Sequence, residues 1–297
     1  MRDFHRERLQ DQVRSQKKST SPITGLNIPD AQRRNPPSID HGCGAARASA
    51  PETLSHISLL AKLRALMSDV QSKVALLAGA TGLVGGVLLD VLLEAGDFSR
   101  VVAVTRRPLA REHPRLANRT VQFDKIASQL SGFTCHTAFC CLGTTIRAAG
   151  SEQAFRRVDM DYVLALARMA QTAQAQRFVV ISSVGANARS GNFYLRTKGE
   201  MEDALVAANL PALDILQPGV LLGWRRELRP LELAVRVLMP LVNPLLVGPY
   251  AAYRGISVRT VALAMLGAAR SGRRGTSRYG YTGIIALARK GAARAAL

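Results

Sequence analysis

The run Val74-Ala75-Leu76-Leu77-Ala78, followed at once by Gly79-Ala80-Thr81-Gly82-Leu83-Val84-Gly85, constrains this chain more than any other feature. Five consecutive apolar residues suit a strand buried on both faces, the condition of a parallel sheet covered by helices on either side. The glycines then call for a tight turn, and Val84, Val87, Leu88, Val91 and Leu92 fall on one stripe of a helix. Each glycine has a physical task. Gly79 makes the turn, Gly82 lets the backbone approach an anion, and Gly85 lets the helix pack close to the strand. The helix N-terminus offers free N–H groups to that anion. The unit therefore predicts a dinucleotide pyrophosphate site over Gly79, Thr81, Gly82, Leu83, Val84 and Gly85.

The same rhythm continues down the chain. Val101–Val104, Thr137–Leu142, Phe178–Ile181 and a segment near Leu213–Leu216 read as strands. A helix capped by Ser151 carries Phe155, Val158, Tyr162 and Leu166, and another runs from about Tyr194 to Asn209. Alternating strands and helices with buried strands predict a doubly wound α/β sheet. The end of the second strand bears on cofactor choice. An Asp or Glu about 20 residues beyond the glycine loop would bond a ribose 2′-hydroxyl. Thr105-Arg106-Arg107 stands there instead. Guanidinium groups at Arg106 and Arg107 suit a 2′-phosphate, which predicts NADP(H) over NAD(H).

The strand ending at Ile181 delivers Ser182-Ser183 to the carboxyl edge of the sheet, where open α/β sheets bind their ligands. Downstream come Tyr194 and Lys198, an i, i+4 pair on one helical face. An ammonium beside a phenol favours the phenolate and helps it exchange a proton, as hydride transfer to a carbonyl requires. Tyr194 is the expected acid, Lys198 its tuner and ribose anchor, and Ser183 the group that orients the substrate oxygen. Asp159 and Asp161, two apart on a helix, face different ways and make a poor acid–base pair.

Taken together these residues resemble the short-chain dehydrogenase/reductase superfamily in its atypical members, the Tat-interacting oxidoreductase-like group and its bacterial relatives. The resemblance covers about residues 73–270. It rests on Gly79 to Gly85, Cys141-Leu142-Gly143-Thr144-Thr145, Ile181 to Ala186, Phe193 to Glu200, and Gln217 to Gly223. It implies a Rossmann domain with a small C-terminal substrate region, and places Leu142, Gly143 and Thr144 along the cofactor. It makes Ser183, Tyr194 and Lys198 the catalytic triad, with Ser182 as the fallback serine. At Gln217 the chain departs from the group, which usually has Arg there. The implied activity is NADPH-dependent hydride transfer to or from a small carbonyl or alcohol; the alternative is a non-catalytic NADP(H)-binding regulatory or scaffold protein.

Charge and composition bound the rest. Of 297 residues, 40 are Lys or Arg and 21 Asp or Glu, for a net charge of +19. Residues 1–66 hold 11 basic and 6 acidic residues and residues 271–297 hold six basic and none acidic, so the ends carry +11. The basic residues follow no nucleic-acid motif, and no specific nucleic-acid partner is expected. Residues 1–66 are polar with scattered Pro and Gly and read as a disordered extension; Met67 is the expected native start, or the extension a dispensable tail. The expected organisation is then a domain over 67–270, with its substrate region from about 218, and a basic C-terminal tail over 271–297.

The apolar stretch Leu231–Val247 is broken by Glu232, Arg236, Pro240 and Pro244, and reads as a core helix or cavity lid rather than a membrane span. Arg225, Arg226 and Arg229 stand where they could hold an anionic substrate or simply face solvent. Four cysteines without metal-ligand spacing predict no metal site and a reducing compartment, taken as the cytoplasm. A monomer or homodimer is expected.

Overall fold

Apolar strands dictate the architecture. In a computed structural model, β1 (Val74–Ala78), β2 (Arg100–Thr105), β3 (Leu116–Thr120), β4 (Thr137–Cys140), β5 (Arg177–Ile181), β6 (Ala212–Leu216) and β9 (Gly275–Tyr279) form one sheet in the order β3-β2-β1-β4-β5-β6-β9. Every pairing in it is parallel. Two short strands, β7 (Leu221–Leu222) and β8 (Ile256–Ser257), pair separately. The structure describes residues 73–223 and 252–293, all within the compact unit Glu52–Leu297. The expectations for residues 1–66, Met67, Leu231–Val247 and Arg225, Arg226 and Arg229 lie outside the described residues.

Period-2 geometry splits each apolar run between two cores. Ala75 and Leu77 of β1 join Leu88 and Leu92 of α1 (Leu83–Ala95). Leu76 and Ala78 join Leu166 of α2 (Tyr162–Thr172) and Met201 and Leu205 of α3 (Phe193–Ala207). Each such Leu, fully removed from water, contributes roughly 1.5–3 kcal/mol. On the first face lie also α4 (Val258–Ala269) and α5 (Tyr281–Ala292), through Val261, Met265, Ile284 and Leu287. The chain moves outward from β1 to β3 and then crosses back to β4, so the strand order reverses between β1 and β4. A crevice at the carboxyl ends of those strands is the usual ligand site of an open α/β sheet.

The C-terminal segment corrects a sequence expectation. Residues 275–292 are not a basic tail: Gly275–Tyr279 is the seventh strand of the sheet, and α5 buries Ile284 and Leu287. Tyr279 Oη donates to buried Asp214 Oδ1 at 3.0 Å, and Arg278 Nε donates to Glu202 Oε2 at 2.9 Å. The strand is as long as β1 but polar, so it lacks the continuous apolar run by which β1 is recognised.

Candidate cofactor groove and catalytic face

The groove begins where β1 ends. Gly79 adopts φ +87°, and Gly82 N donates to Gly79 O at 2.9 Å to close the turn. A Cβ on Gly79 would lie 2.5 Å from Cys141 O, and one on Gly85 would lie 2.0 Å from Gly79 O. Neither position admits a side chain, because β1, the turn after β4 and α1 meet backbone to backbone there. Helix α1 starts after Gly82 with no side-chain cap and no acidic residue in its first turn. Its N-terminal amides are thus left for an anion.

Gly79, Thr81, Gly82, Arg106, Leu142 and Gly143 line the open groove above this turn, and among the described residues no carboxylate lines it. A cradle that a Cβ would fill, an uncapped helix end and a cationic rim fit a dinucleotide phosphate. Other expected residues stand elsewhere. Val84 and Gly85 are buried and Leu83 half-buried, packed beneath the loop. Arg107 is exposed, and its carbonyl accepts from Thr105 Oγ1 at 2.7 Å. Thr105 is in turn held by Asn118 Nδ2 at 2.8 Å, while Asn118 Oδ1 accepts from Leu109 N at 2.9 Å. One asparagine on β3 so fixes both ends of the arginine loop.

Sequence reasoning missed several groove residues, Phe123 and Tyr162 among them. Their rings stack at 5.3 Å and 26°. Tyr162 Oη donates to Asp124 Oδ2 at 3.1 Å, and Arg157 Nη2 donates to the same oxygen at 2.8 Å. The Arg157 hydrogen bond holds the Asp124 carboxyl below its ordinary value. Tyr162 had the helical spacing of a core residue, and nothing in that spacing marks a groove wall.

The second cluster gathers at the end of β5. Ser182 N donates to Leu216 O and Val184 N to Pro218 O, so the Ser182-Ser183 turn is pinned to the segment leaving β6. Ser182 is buried and its Oγ lies 2.5 Å from Glu202 Oε1. Ser183 is half-buried, and its Oγ donates to Val184 O at 3.2 Å. Asn192 caps α3 by accepting from Leu195 N, which starts the helix where Tyr194, Lys198 and Glu202 follow at i, i+4 and i+8 on one face. Tyr194 is half-buried, its ring 5.7 Å from that of Phe155. Gln217 Nε2 donates to both Glu202 oxygens, at 2.8 and 3.0 Å, so this side chain serves the buried carboxylate.

Lys198 is buried and its Nζ lies 2.7 Å from Asp159 Oδ1. Burial alone would depress its pKa; the Asp159 carboxylate and Tyr194 outweigh that and hold it above its ordinary value. Asp159 Oδ2 accepts from Thr144 N at 2.8 Å. The aspartate sits on a π-helical turn, Arg157–Asp161, between Glu152–Arg156 and α2. The two aspartates do face different ways, Asp159 buried and Asp161 exposed, but Asp159 has a lysine partner that the sequence reading did not foresee.

Comparison with known proteins gives this arrangement a context. The family model described as NAD(P)H-binding matches residues 79–226. Rat protein HTATIP2 is 39% identical over 171 residues, 56% of this chain and 70% of that protein. The mitochondrial protein FMP52 of Debaryomyces hansenii is 35% identical over 156 residues, 52% of this chain and 69% of that protein. Among solved structures, MoeE5 in complex with UDP-glucuronic acid and NAD has the same fold, with a TM-score of 0.53 at 18% identity over 75% of this chain and 83% of that one. No helix among the described residues is long and apolar enough to cross a membrane.

Proposed function

This chain belongs to the NAD(P)H-binding, atypical short-chain dehydrogenase/reductase family that includes HTATIP2, and from that premise we propose that it is an NADPH-dependent oxidoreductase acting on a small carbonyl or alcohol substrate. One observation carries the reading. Tyr194 and Lys198 share a face of α3, Lys198 is buried and held charged, and Ser183 stands at the end of the neighbouring β5 with a hydroxyl that only a local bond engages.

The roles follow from chemistry. In the reductive direction Tyr194 Oη gives a proton to the substrate oxygen, and the Lys198 ammonium stabilises the phenolate left behind. Ser183 Oγ orients that oxygen by donating to it. In the oxidative direction the phenolate takes the proton back. NADPH, bound along Gly79–Gly85 and Leu142–Thr144, would supply the hydride. Arg106 lines the groove, whose lining among the described residues includes no carboxylate, and favours the 2′-phosphate; Arg107 extends the same basic edge. The substrate side begins at about Pro218, where β7 and β8 pair. We place the protein in the cytoplasm on four cysteines whose spacing suits neither a disulfide framework nor a metal site; the FMP52 relatives, named as mitochondrial, make the mitochondrion the competing compartment, and cell fractionation decides between them.

The test is NADPH oxidation over a panel of aldehydes and ketones with wild type and Tyr194→Phe. The wild type turns over at least one class, and the variant loses about 10²–10⁴-fold in kcat while still binding NADPH. Equal turnover in the variant overturns the assignment of Tyr194. Tight NADPH binding with no hydride transfer to any carbonyl favours a cofactor-sensing regulator instead.

A further inference from the structure

Resting on that reading, we propose that Asp159 is a positioning residue of the reaction: its two carboxylate oxygens tie the Lys198 ammonium to the backbone of the loop that lines the cofactor groove. Oδ1 lies 2.7 Å from Lys198 Nζ and Oδ2 accepts from Thr144 N at 2.8 Å. Asp159 is 1% exposed and Lys198 4%. The two neighbours of Thr144 toward β4, Leu142 and Gly143, line the groove, and a Cβ on Gly143 would lie 3.5 Å from Asp159 Oδ1. The carboxylate is therefore a rigid link between the floor of the cofactor site and the face of α3 that carries Tyr194.

Two features mark this as more than a packing detail. A buried ion pair is a poor stabilising device, since desolvating both charges consumes most of their attraction. The backbone also departs from regular helix to place it. The π-turn Arg157–Asp161 interrupts what would otherwise be one helix from Glu152 to Thr172. Such turns recur at functional sites because the extra residue re-aims a side chain.

The groups around Lys198 set the consequence. Tyr194 acts on it from its own helix, Cys140 from the end of β4, and Asp159 from the π-turn. Glu202, one turn further along α3, is occupied by Ser182, Gln217 and Arg278. Removing the Asp159 charge leaves the ammonium buried beside a thiol and a phenol. Burial then drives Lys198 towards the neutral amine, and Tyr194 loses the cation beside it.

The experiment uses the full-length protein and has two readouts. The first is an NMR titration of ε-carbon-labelled lysine without cofactor, with the Lys198 signal identified by its absence in Lys198→Arg. The wild-type amine titrates above the ordinary lysine value, and in Asp159→Asn its midpoint falls by about 1 pH unit or more. The second is the pH profile of kcat/KM, which in Asp159→Asn gains an alkaline limb at that lowered midpoint, while Asp159→Glu restores the wild-type profile. An unchanged midpoint, or a lowered one with the wild-type rate profile, overturns the proposal. If Asp159→Asn does not fold, the double variant with Lys198→Met decides: recovered folding supports the pairing, and an equally unfolded double variant refutes it. Should the wild type turn over no carbonyl, the oxidoreductase reading fails on its own account, and the amine titration still decides whether Asp159 holds Lys198.

Discussion

Ser182 Oγ lies 2.5 Å from Glu202 Oε1, a bond that sets apart the two serines at the end of β5. Ser182 is committed to a buried carboxylate that also receives Gln217 and Arg278. Ser183 has only a 3.2 Å bond to the next carbonyl, which, on the function proposed above, a χ1 rotation would exchange for a substrate oxygen. Adjacent serines thus differ: one is committed to the buried carboxylate, and the other keeps a hydroxyl held only by its own loop.

Serine variants should separate accordingly. Ser183→Ala is expected to lower kcat/KM by about 10²-fold with its melting temperature unchanged, since one transition-state hydrogen bond is lost from an otherwise intact site. Ser182→Ala removes a donor from a buried carboxylate and should cost about 1–3 kcal/mol of stability, read by urea unfolding, while the folded fraction keeps its turnover. The opposite pattern would move the catalytic role to Ser182, the fallback serine.

Cofactor selection should follow Arg106. Calorimetric titration of Arg106→Glu is expected to show NADPH bound about 10–100-fold more weakly, with NADH affinity held or improved. Asn118→Ala leaves the guanidinium in place but frees both ends of its loop, so NADPH binding should weaken by a smaller factor. Equal NADPH and NADH affinities in the wild type would remove the 2′-phosphate argument altogether.

The C-terminal strand should prove indispensable. Asp214 lies at the centre of a buried set, ion-paired with Arg177 and accepting from Tyr279 of β9. Breaking a buried pair from one side typically costs about 3–5 kcal/mol, so Asp214→Ala should sit near or beyond the limit of folding in a thermal melt. Tyr279→Phe should cost about 1 kcal/mol. A chain ending at Ser271 should fail to give a cooperative melt, since it lacks β9, α5 and the Arg278 bond to Glu202. A cooperative melt at the wild-type temperature would restore the view of this segment as a tail.

What the sequence disclosed and what it hid divide along physical lines. The β1–loop–α1 unit and the Tyr194/Lys198 face depend on contacts between near neighbours, so spacing read together with the flanking strands and helices announces them. By contrast β3 and β9 are polar edge segments, Leu-Ala-Asn-Arg-Thr and Gly-Thr-Ser-Arg-Tyr, without an apolar run, and β9 is held by partners far along the chain: Tyr279 meets Asp214 across 65 residues and Arg278 meets Glu202 across 76. No local periodicity records such contacts. Asp159 was hidden for another reason. Helical spacing assumes 3.6 residues per turn, and the π-turn breaks that assumption at the residue that matters.

The cysteines supply a pH-dependent prediction. Burial pushes the Cys135 thiol up to about 12. For Cys140 burial also raises it to about 12, against a backbone hydrogen bond at Leu142 and the Lys198 charge. In the unfolded chain a thiol titrates near ~8.5. Below that pH both states keep the proton, and the buried thiols contribute their full stability. As pH rises from ~8.5 towards ~12, only the unfolded chain loses protons, so stability falls by about 1.4 kcal/mol per pH unit for each such thiol. Urea unfolding under reducing conditions at pH 8, 9 and 10 should show this slope, and Cys140→Ala should be shallower than wild type by about 1.4 kcal/mol per unit above pH ~9. The variant also loses packing, but that shifts the curve without tilting it. Parallel curves for the two proteins would mean that Cys140 already ionises in the folded state, and native alkylation at pH 8 would then modify it, whereas a buried thiol stays unmodified.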